Sequence, residues 1–191
     1  QWSNPQGCAY FLKCPRWRAE TQSMFFDRTA TMWKRMKEAF NGFDNKLVVT
    51  SVSPWLMNRA LMSPIFSGKE HKVVLNGLDT AIFHIYQNSK IKKELGLKNE
   101  KIIAGPYSKD IQVAGNVILL GHIKKQERLA ELYSLADVTL LASKRETFSM
   151  VTAESLSCGT PVVGFKSGAP EQIAIQEYSC FVDYGDVEAL V

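Results

Sequence analysis

From Gly42 onward the chain alternates short runs rich in β-branched residues with stretches of helical period, and this alternation limits the fold more than any other feature. Two parallel strands need a connection of a dozen or more residues between them, usually a helix, so the expected fold is α/β with parallel sheets. Residues 46–51 (KLVVTS) read as a buried strand. Ser53-Pro54 then opens a helix through Leu61, with serine at the cap and proline at the first helical position. Residues 71–75 (HKVVL) are the next strand, closed by a turn at Asn76-Gly77, and a charged helix follows over 88–95. The second half repeats the pattern: a strand over 116–120 ending at Gly121, a helix over 125–135, a strand over 138–142, a helix over 149–158, a strand over 161–165, a short helix over 170–175, and another strand beginning at Phe181-Val182. Ligands of such sheets bind at the carboxyl ends of the strands, in the loops that lead into helices.

The first 41 residues are less regular. Residues 29–40 (TATMWKRMKEAF) read as a helix with Met32, Met36 and Phe40 on one side and Lys34, Arg35 and Lys37 on the other. Two readings fit this basic helix and its Trp33: peripheral contact with an anionic membrane surface, or a core-packed helix with a solvated basic face. Charge is uneven along the chain. Residues 1–110 hold 17 Lys and Arg against 9 Asp and Glu, whereas residues 111–191 hold 6 against 10. The basic part suits an anionic partner, but no Arg/aromatic motif of the known nucleic-acid modules accompanies it.

No run approaches the roughly 20 apolar residues that span a bilayer, and Gln1-Trp2-Ser3-Asn4 lacks a signal pattern. Four cysteines are too few for a disulfide scaffold and fit a reducing compartment. Cys8 and Cys14 have no second close Cys/His pair to complete a tetrahedral metal site, so no metal is expected. The expected setting is the cytoplasm, with association at the inner face of a membrane as an option.

Chemistry concentrates between Lys144 and Glu171, KRETFSMVTAESLSCGTPVVGFKSGAPE. Glu146 falls in the loop after a strand, and Glu154 lies about five residues into the next helix, roughly 7–8 Å along its axis. Two carboxylates so placed can grip two parts of one extended ligand. Around Glu154, the i±3 and i±4 neighbours Met150, Val151, Ser157 and Cys158 form an apolar or small-residue face, where a carboxylate needs a partner. That partner is either a Lys or Arg from elsewhere or the vicinal hydroxyls of a ribose. Thr147, Phe148 and Ser149 present backbone N–H groups at a helix N-terminus, either a site for a diphosphate or an ordinary serine cap. Gly168-Ala169-Pro170 offers a second such terminus, with Glu171 serving the helix dipole or reaching a ligand.

This constellation, E-x7-E followed by G-T-P-V-V and G-x-P-E, resembles the retaining GT-B glycosyltransferases of family 4, which make bacterial surface polysaccharides and glycolipids. Residues 74–80 (VLNGLDT) resemble the family's interdomain "vipNGiDt" segment. Residues 117–121 and 132–138 (LYSLADV) are similar to its "flG … ly-x-xadv" stretch, and Gly7-Cys8-Ala9-Tyr10-Phe11 with Ser53-Pro54-Trp55-Leu56 to a "GxCAYF … SxWL" subgroup. The resemblance implies two Rossmann-like domains with parallel sheets facing across a cleft, here residues 1–75 on the acceptor side and 76–191 on the donor side. It implies transfer of a hexose from a nucleotide-sugar donor to a glycan or lipid-linked acceptor with retention. Glu146 would then lie by the transferred sugar and Glu154 on the ribose. Phe148 and Ser149 would contact the sugar or diphosphate, and His122 and Ile123 would frame the base. No metal or other cofactor is implied, since basic side chains and helix termini neutralise the leaving diphosphate. Catalysis would be orientation and electrostatic stabilisation around front-face attack.

The chain departs from the family pattern in three places. By that pattern, the first N-terminal strands and the C-terminal helices beyond Val191 are expected to be absent from this chain, which would leave both domains incomplete. Internally, the strand, the "R-x-x-x-x-KG" segment and the long helix expected after 97–101 are replaced by Lys101-Ile102-Ile103 running almost directly into Ala104-Gly105-Pro106. With so short a connection the sheet is not expected to close, and the expected explanation is residues missing near Lys101–Ala104. If none are missing, the chain is either inactive or a different module. Two rival functions remain at this point: a GT-B nucleotide-sugar epimerase, and a non-catalytic nucleotide-sugar-binding module.

Overall fold

In the computed structural model, residues 29–43, 46–87, 89–97, 101–104 and 117–190 are described, and every strand ladder among them is parallel. The α/β reading therefore holds. The chain forms two compact units. One takes the described residues up to Asn76 together with Arg145–Phe148 and Ser167–Gln172; the other takes Gly77–Lys144, Ser149–Lys166 and Ile173–Val191.

The first unit contains α1 (Thr29–Phe40), β1 (Val48–Ser51), α2 (Pro54–Leu61) and β2 (Glu70–Val73). β1, α2 and β2 make one βαβ step, with Val48 opposite Glu70 and Ser51 opposite Val73. The helix starts where its cap chemistry dictates. Ser53 is extended, its side chain accepts from the Leu56 N–H, and Pro54 occupies the first turn, where no N–H is needed. The expected buried strand at 46–51 is buried only at Ser51, and Val48 is exposed; in a ladder of two described strands each strand has a neighbour on one edge only. Residues 74–79 carry no turn, so Asn76-Gly77 lies in irregular chain beyond β2. On α1, Met36 and Phe40 are half-buried and Phe40 meets Phe66 edge-on at 5.1 Å, but Met32 is exposed. Lys37 lies over the Trp33 ring and Lys34 pairs with Glu38. Among the described residues no helix is long and apolar enough to cross a membrane.

The second unit holds α3 (Ser89–Glu94), β3 (Lys101–Ala104), β4 (Val117–Gly121), α4 (Gln126–Leu135), β5 (Thr139–Leu141), α5 (Met150–Ser157), β6 (Val162–Phe165) and β7 (Ser179–Val182). α6 (Pro170–Ile173) lies between the last two strands in the chain. β5, β6 and β7 form one ladder with β6 in the middle. Its Val-Val-Gly-Phe run suits a strand flanked on both edges, and Val162 is fully buried. The final strand is four residues long and ends, rather than begins, at Val182.

One expectation is corrected here. Lys101–Ala104 is a strand and pairs in parallel with Val117–Gly121, so this part of the sheet does close. The register shifts at Ile103/Ala104. Residues 98–100 and 105–116, on which the question of missing residues turns, lie outside the described residues.

A small core locks the helices of this unit. Phe83, Ala130 and Cys158 are buried together, with Leu78, Ile82, Tyr86, Leu129 and Tyr133 packed against them. Polar ties join the same segments: Ser157 Oγ donates to the Phe83 carbonyl, and Ser134 Oγ accepts from the Tyr86 N–H at 3.1 Å. α5 presents buried Thr152 and Ser155 on another face. Ser155 Oγ lies 2.8 Å from Thr139 Oγ1 of β5 and 2.9 Å from the Thr160 carbonyl, which satisfies a hydroxyl that burial alone would penalise.

Candidate functional site

In sequence, every candidate loop follows the carboxyl end of a parallel strand: 122–123 after β4, 142–149 after β5, and 166–169 after β6. In the first unit, two of these loops are stitched together. The Glu146 N–H donates to the Ser167 carbonyl at 2.9 Å and the Ala169 N–H donates to the Glu146 carbonyl at 3.3 Å, a short parallel bridge between Glu146 and Gly168. The Thr147 carbonyl accepts from the hydroxyl of fully buried Ser53 at 2.6 Å. Phe148 is buried. Glu146, Thr147, Phe148, Gly168 and Glu171 are thus brought together. Glu146 is half-buried, and its carboxylate makes none of the hydrogen bonds or ion pairs found among the described residues.

Glu171 takes a role of its own. Its carboxylate accepts from the Gly168 N–H at 3.1 Å and from the Ser167 N–H at 3.3 Å. Two loop amides just before α6 are thus held by the chain's own acid. Gly168 has φ +122, a conformation side chains rarely adopt, and a Cβ there would stand 2.6 Å from Trp55 Cε2. Only glycine lets this loop approach the Trp55 ring so closely.

In the second unit, Ser149 caps α5. Its Oγ accepts from the Thr152 N–H at 3.4 Å and from the Thr152 hydroxyl at 3.0 Å, and Ser149 is buried. Its φ of 76 makes it the one non-glycine residue with positive φ among the described residues, a state costing about 1–2 kcal/mol outside glycine. The cap uses the third amide of the helix and leaves the earlier first-turn amides to another acceptor.

Glu154 lies one turn further along α5, half-buried. Its Oε2 accepts from the Tyr133 hydroxyl at 3.2 Å, and no lysine or arginine among the described residues pairs with it. Burial pushes the Glu154 carboxyl above its ordinary 4.5, opposed by the hydrogen bond from Tyr133. Burial, reinforced by the Glu154 charge, pushes the Tyr133 hydroxyl up, which keeps it protonated as the donor. Cys158, one turn on, is buried and its thiol is also held up by burial. The neighbouring face is less uniform than its residue types suggest, since Val151 is exposed. His122 is exposed and Ile123 half-buried just before α4, and among the described residues no hydrogen bond joins either to Glu154 or Ser149. Among the described residues no group of three His, Cys, Asp or Glu side chains converges as a metal site. Cys8 and Cys14 lie outside the described residues; Cys158 and Cys180 are free thiols.

Tyr133, Ser53 and Trp55 were not legible as site residues. The helix at Ser53 reads as an ordinary serine cap, and Tyr133 as one residue of an amphipathic helix; what links them to the site is contact with residues far away in sequence.

A family model described as Glycosyl transferases group 1 matches residues 65–191. The N-acetyl-alpha-D-glucosaminyl L-malate synthase of Bacillus anthracis is 26% identical over 190 residues, covering 76% of this chain; the chain spans 48% of that relative's length. Among solved structures, the sucrose-phosphate synthase of Thermosynechococcus elongatus superposes with a TM-score of 0.68 at 19% identity, over 95% of this chain and 54% of the other. The Anabaena HepE protein, solved in complex with UDP-glucose, superposes with a TM-score of 0.59 at 16% identity, over 82% of this chain and 56% of its own. At these identities the likeness speaks to the fold, and the fold is that of the GT-B glycosyltransferases.

Proposed function

Because the chain belongs to the glycosyl transferases group 1 family, we propose that it carries the donor site of a family-4, metal-independent glycosyltransferase. The enzyme moves a hexose from a nucleotide sugar to a glycan or lipid-linked acceptor with retention, in the synthesis of surface polysaccharide. It works in the cytoplasm, and the basic face of α1 is available to an anionic membrane.

The observation that carries this reading is Glu154, a half-buried carboxylate with a tyrosine hydroxyl on one oxygen and no cation among the described residues. A desolvated carboxylate is stabilised by donors. Tyr133 supplies one, and the vicinal hydroxyls of a ribose supply two more in the geometry a carboxylate accepts. The diphosphate is placed at the N-terminus of α5, where first-turn amides and the helix dipole favour negative charge. Glu146, three residues before the Ser149 cap in sequence, acts beside the transferred sugar. Binding of UDP-glucose by HepE, a protein of the same fold, supports the donor class.

Titration with UDP, GDP, ADP and their sugars tests the reading. Glu154→Gln is expected to weaken the best nucleotide at least about tenfold, since hydrogen bonds to a charged group contribute roughly 1.5–3 kcal/mol. The pH dependence has a definite sign. Ribose hydroxyls donate to the carboxylate, so affinity is full above the raised Glu154 pKa and declines as pH falls through it, starting at a higher pH than the ordinary 4.5 allows. Glu154→Gln should flatten that decline. Unchanged affinity in a folded variant would refute the ribose assignment.

Transfer is also expected to persist in excess EDTA, because the anion-binding groups invoked are backbone amides and a helix terminus. Activity abolished by the chelator and restored by Mg²⁺ or Mn²⁺ would overturn the metal-free mechanism.

A further inference from the structure

We infer that Ser53 is a positioning residue for the Glu146 loop. The inference rests on the functional reading above for its catalytic consequence, but its structural half stands alone. Ser53 is fully buried and serves two masters: its Oγ accepts from the Leu56 N–H at 3.1 Å, starting α2, and donates to the Thr147 carbonyl at 2.6 Å, 94 residues away. A hydroxyl has one proton to give and lone pairs to spare, so both bonds form at once. The helix start and the Glu146 loop are therefore fixed by one atom.

The same helix holds the other side of the loop pair. Trp55 packs on Gly168 with no room for a Cβ, and the Arg59 guanidinium lies over the Trp55 ring, 5.0 Å from its centre. Gly168 is bridged to Glu146, and Glu171 ties the Ser167 and Gly168 amides. The contacts close a ring: Ser53 to Thr147, Glu146 to Gly168, Gly168 to Trp55, and back along α2. Glu146 sits on this ring through its backbone while its own carboxylate is left to the ligand. Such an arrangement fixes where a carboxylate points without occupying it.

Amide hydrogen exchange and steady-state kinetics on the full-length protein test this. Ser53→Ala should speed exchange at the Glu146 and Ala169 amides roughly fivefold, as expected for one lost hydrogen bond, and leave the β5–β6 ladder unchanged. It should lower kcat about tenfold or more with nucleotide Kd within about twofold. Ser53→Thr, which keeps the hydroxyl and the cap, should recover most of both. Should the alanine protein not fold, Ser53→Cys, with similar volume and only a weak S–H donor, makes the same test. Unchanged exchange in a folded variant overturns the inference whatever the activity. Faster exchange with unchanged kcat overturns its catalytic half. A wild-type protein inert toward every nucleotide sugar sinks the functional reading instead, and the exchange result then decides the positioning role by itself.

Discussion

Glu146→Gln is expected to slow sugar transfer by about 10²–10³-fold while leaving the Kd for free nucleotide within about twofold. The asymmetry follows from what each acid touches. Glu154 is proposed to bind the ribose, which does not change during the reaction. Glu146 is proposed to face the sugar, where positive charge develops as the bond to the diphosphate breaks. A carboxylate there is worth more in the transition state than in the ground state, and glutamine keeps the shape while removing the charge. The Glu146 backbone carries the bridge to Gly168, so the side-chain change should leave the loop in place. Measuring kcat and nucleotide affinity on the same preparation decides the matter: equal losses in both would mean that Glu146 is a binding residue, and no loss in either would remove it from the site.

The largest effect on stability is expected from Gly164→Ala, at about 2–4 kcal/mol of destabilisation. Gly164 lies in β6, the middle strand, opposite Leu141 of β5. A Cβ at this position would overlap the Leu141 carbonyl oxygen and come within 2.8 Å of Leu141 Cβ. The obstacle is mainly backbone, which cannot rotate away as the tip of a long side chain would. The β5–β6 ladder must open or slip, and buried Val162 and Phe165 move with it. Thermal and denaturant unfolding of the variant would report the loss directly. A melting temperature within about one degree of the wild type would show that the ladder yields more easily than its contacts imply.

Close in the chain, the sequence was highly informative. α1 and α2 begin and end where their period and their Ser-Pro start place them, and β4, β5 and β6 fall within a residue or two of their expected bounds. These features depend on neighbours three or four residues away, so a local reading captures them. The E-x7-E spacing is local too, and it located both acids on the loop and helix that carry them. The strand at Lys101–Ala104 was harder, because four residues beside an unfamiliar connection look like loop until β4 pairs with them.

What the folded chain alone decided are the partners. Nothing near Glu154 in sequence points to Tyr133, 21 residues earlier, and nothing near Thr147 points to Ser53, 94 residues earlier. Glu171 could face a ligand or its own loop, and the structure turns it onto the Ser167 and Gly168 amides. The Glu171 contacts span only three and four residues, whereas the first two share a longer-range physical reason. Which residues can be acid, donor or cap is set by residue chemistry and local period, and that much was written in the sequence; which donor meets which acceptor depends on parallel crossovers that bring distant segments together, because a buried polar group must find its partner wherever packing has put one.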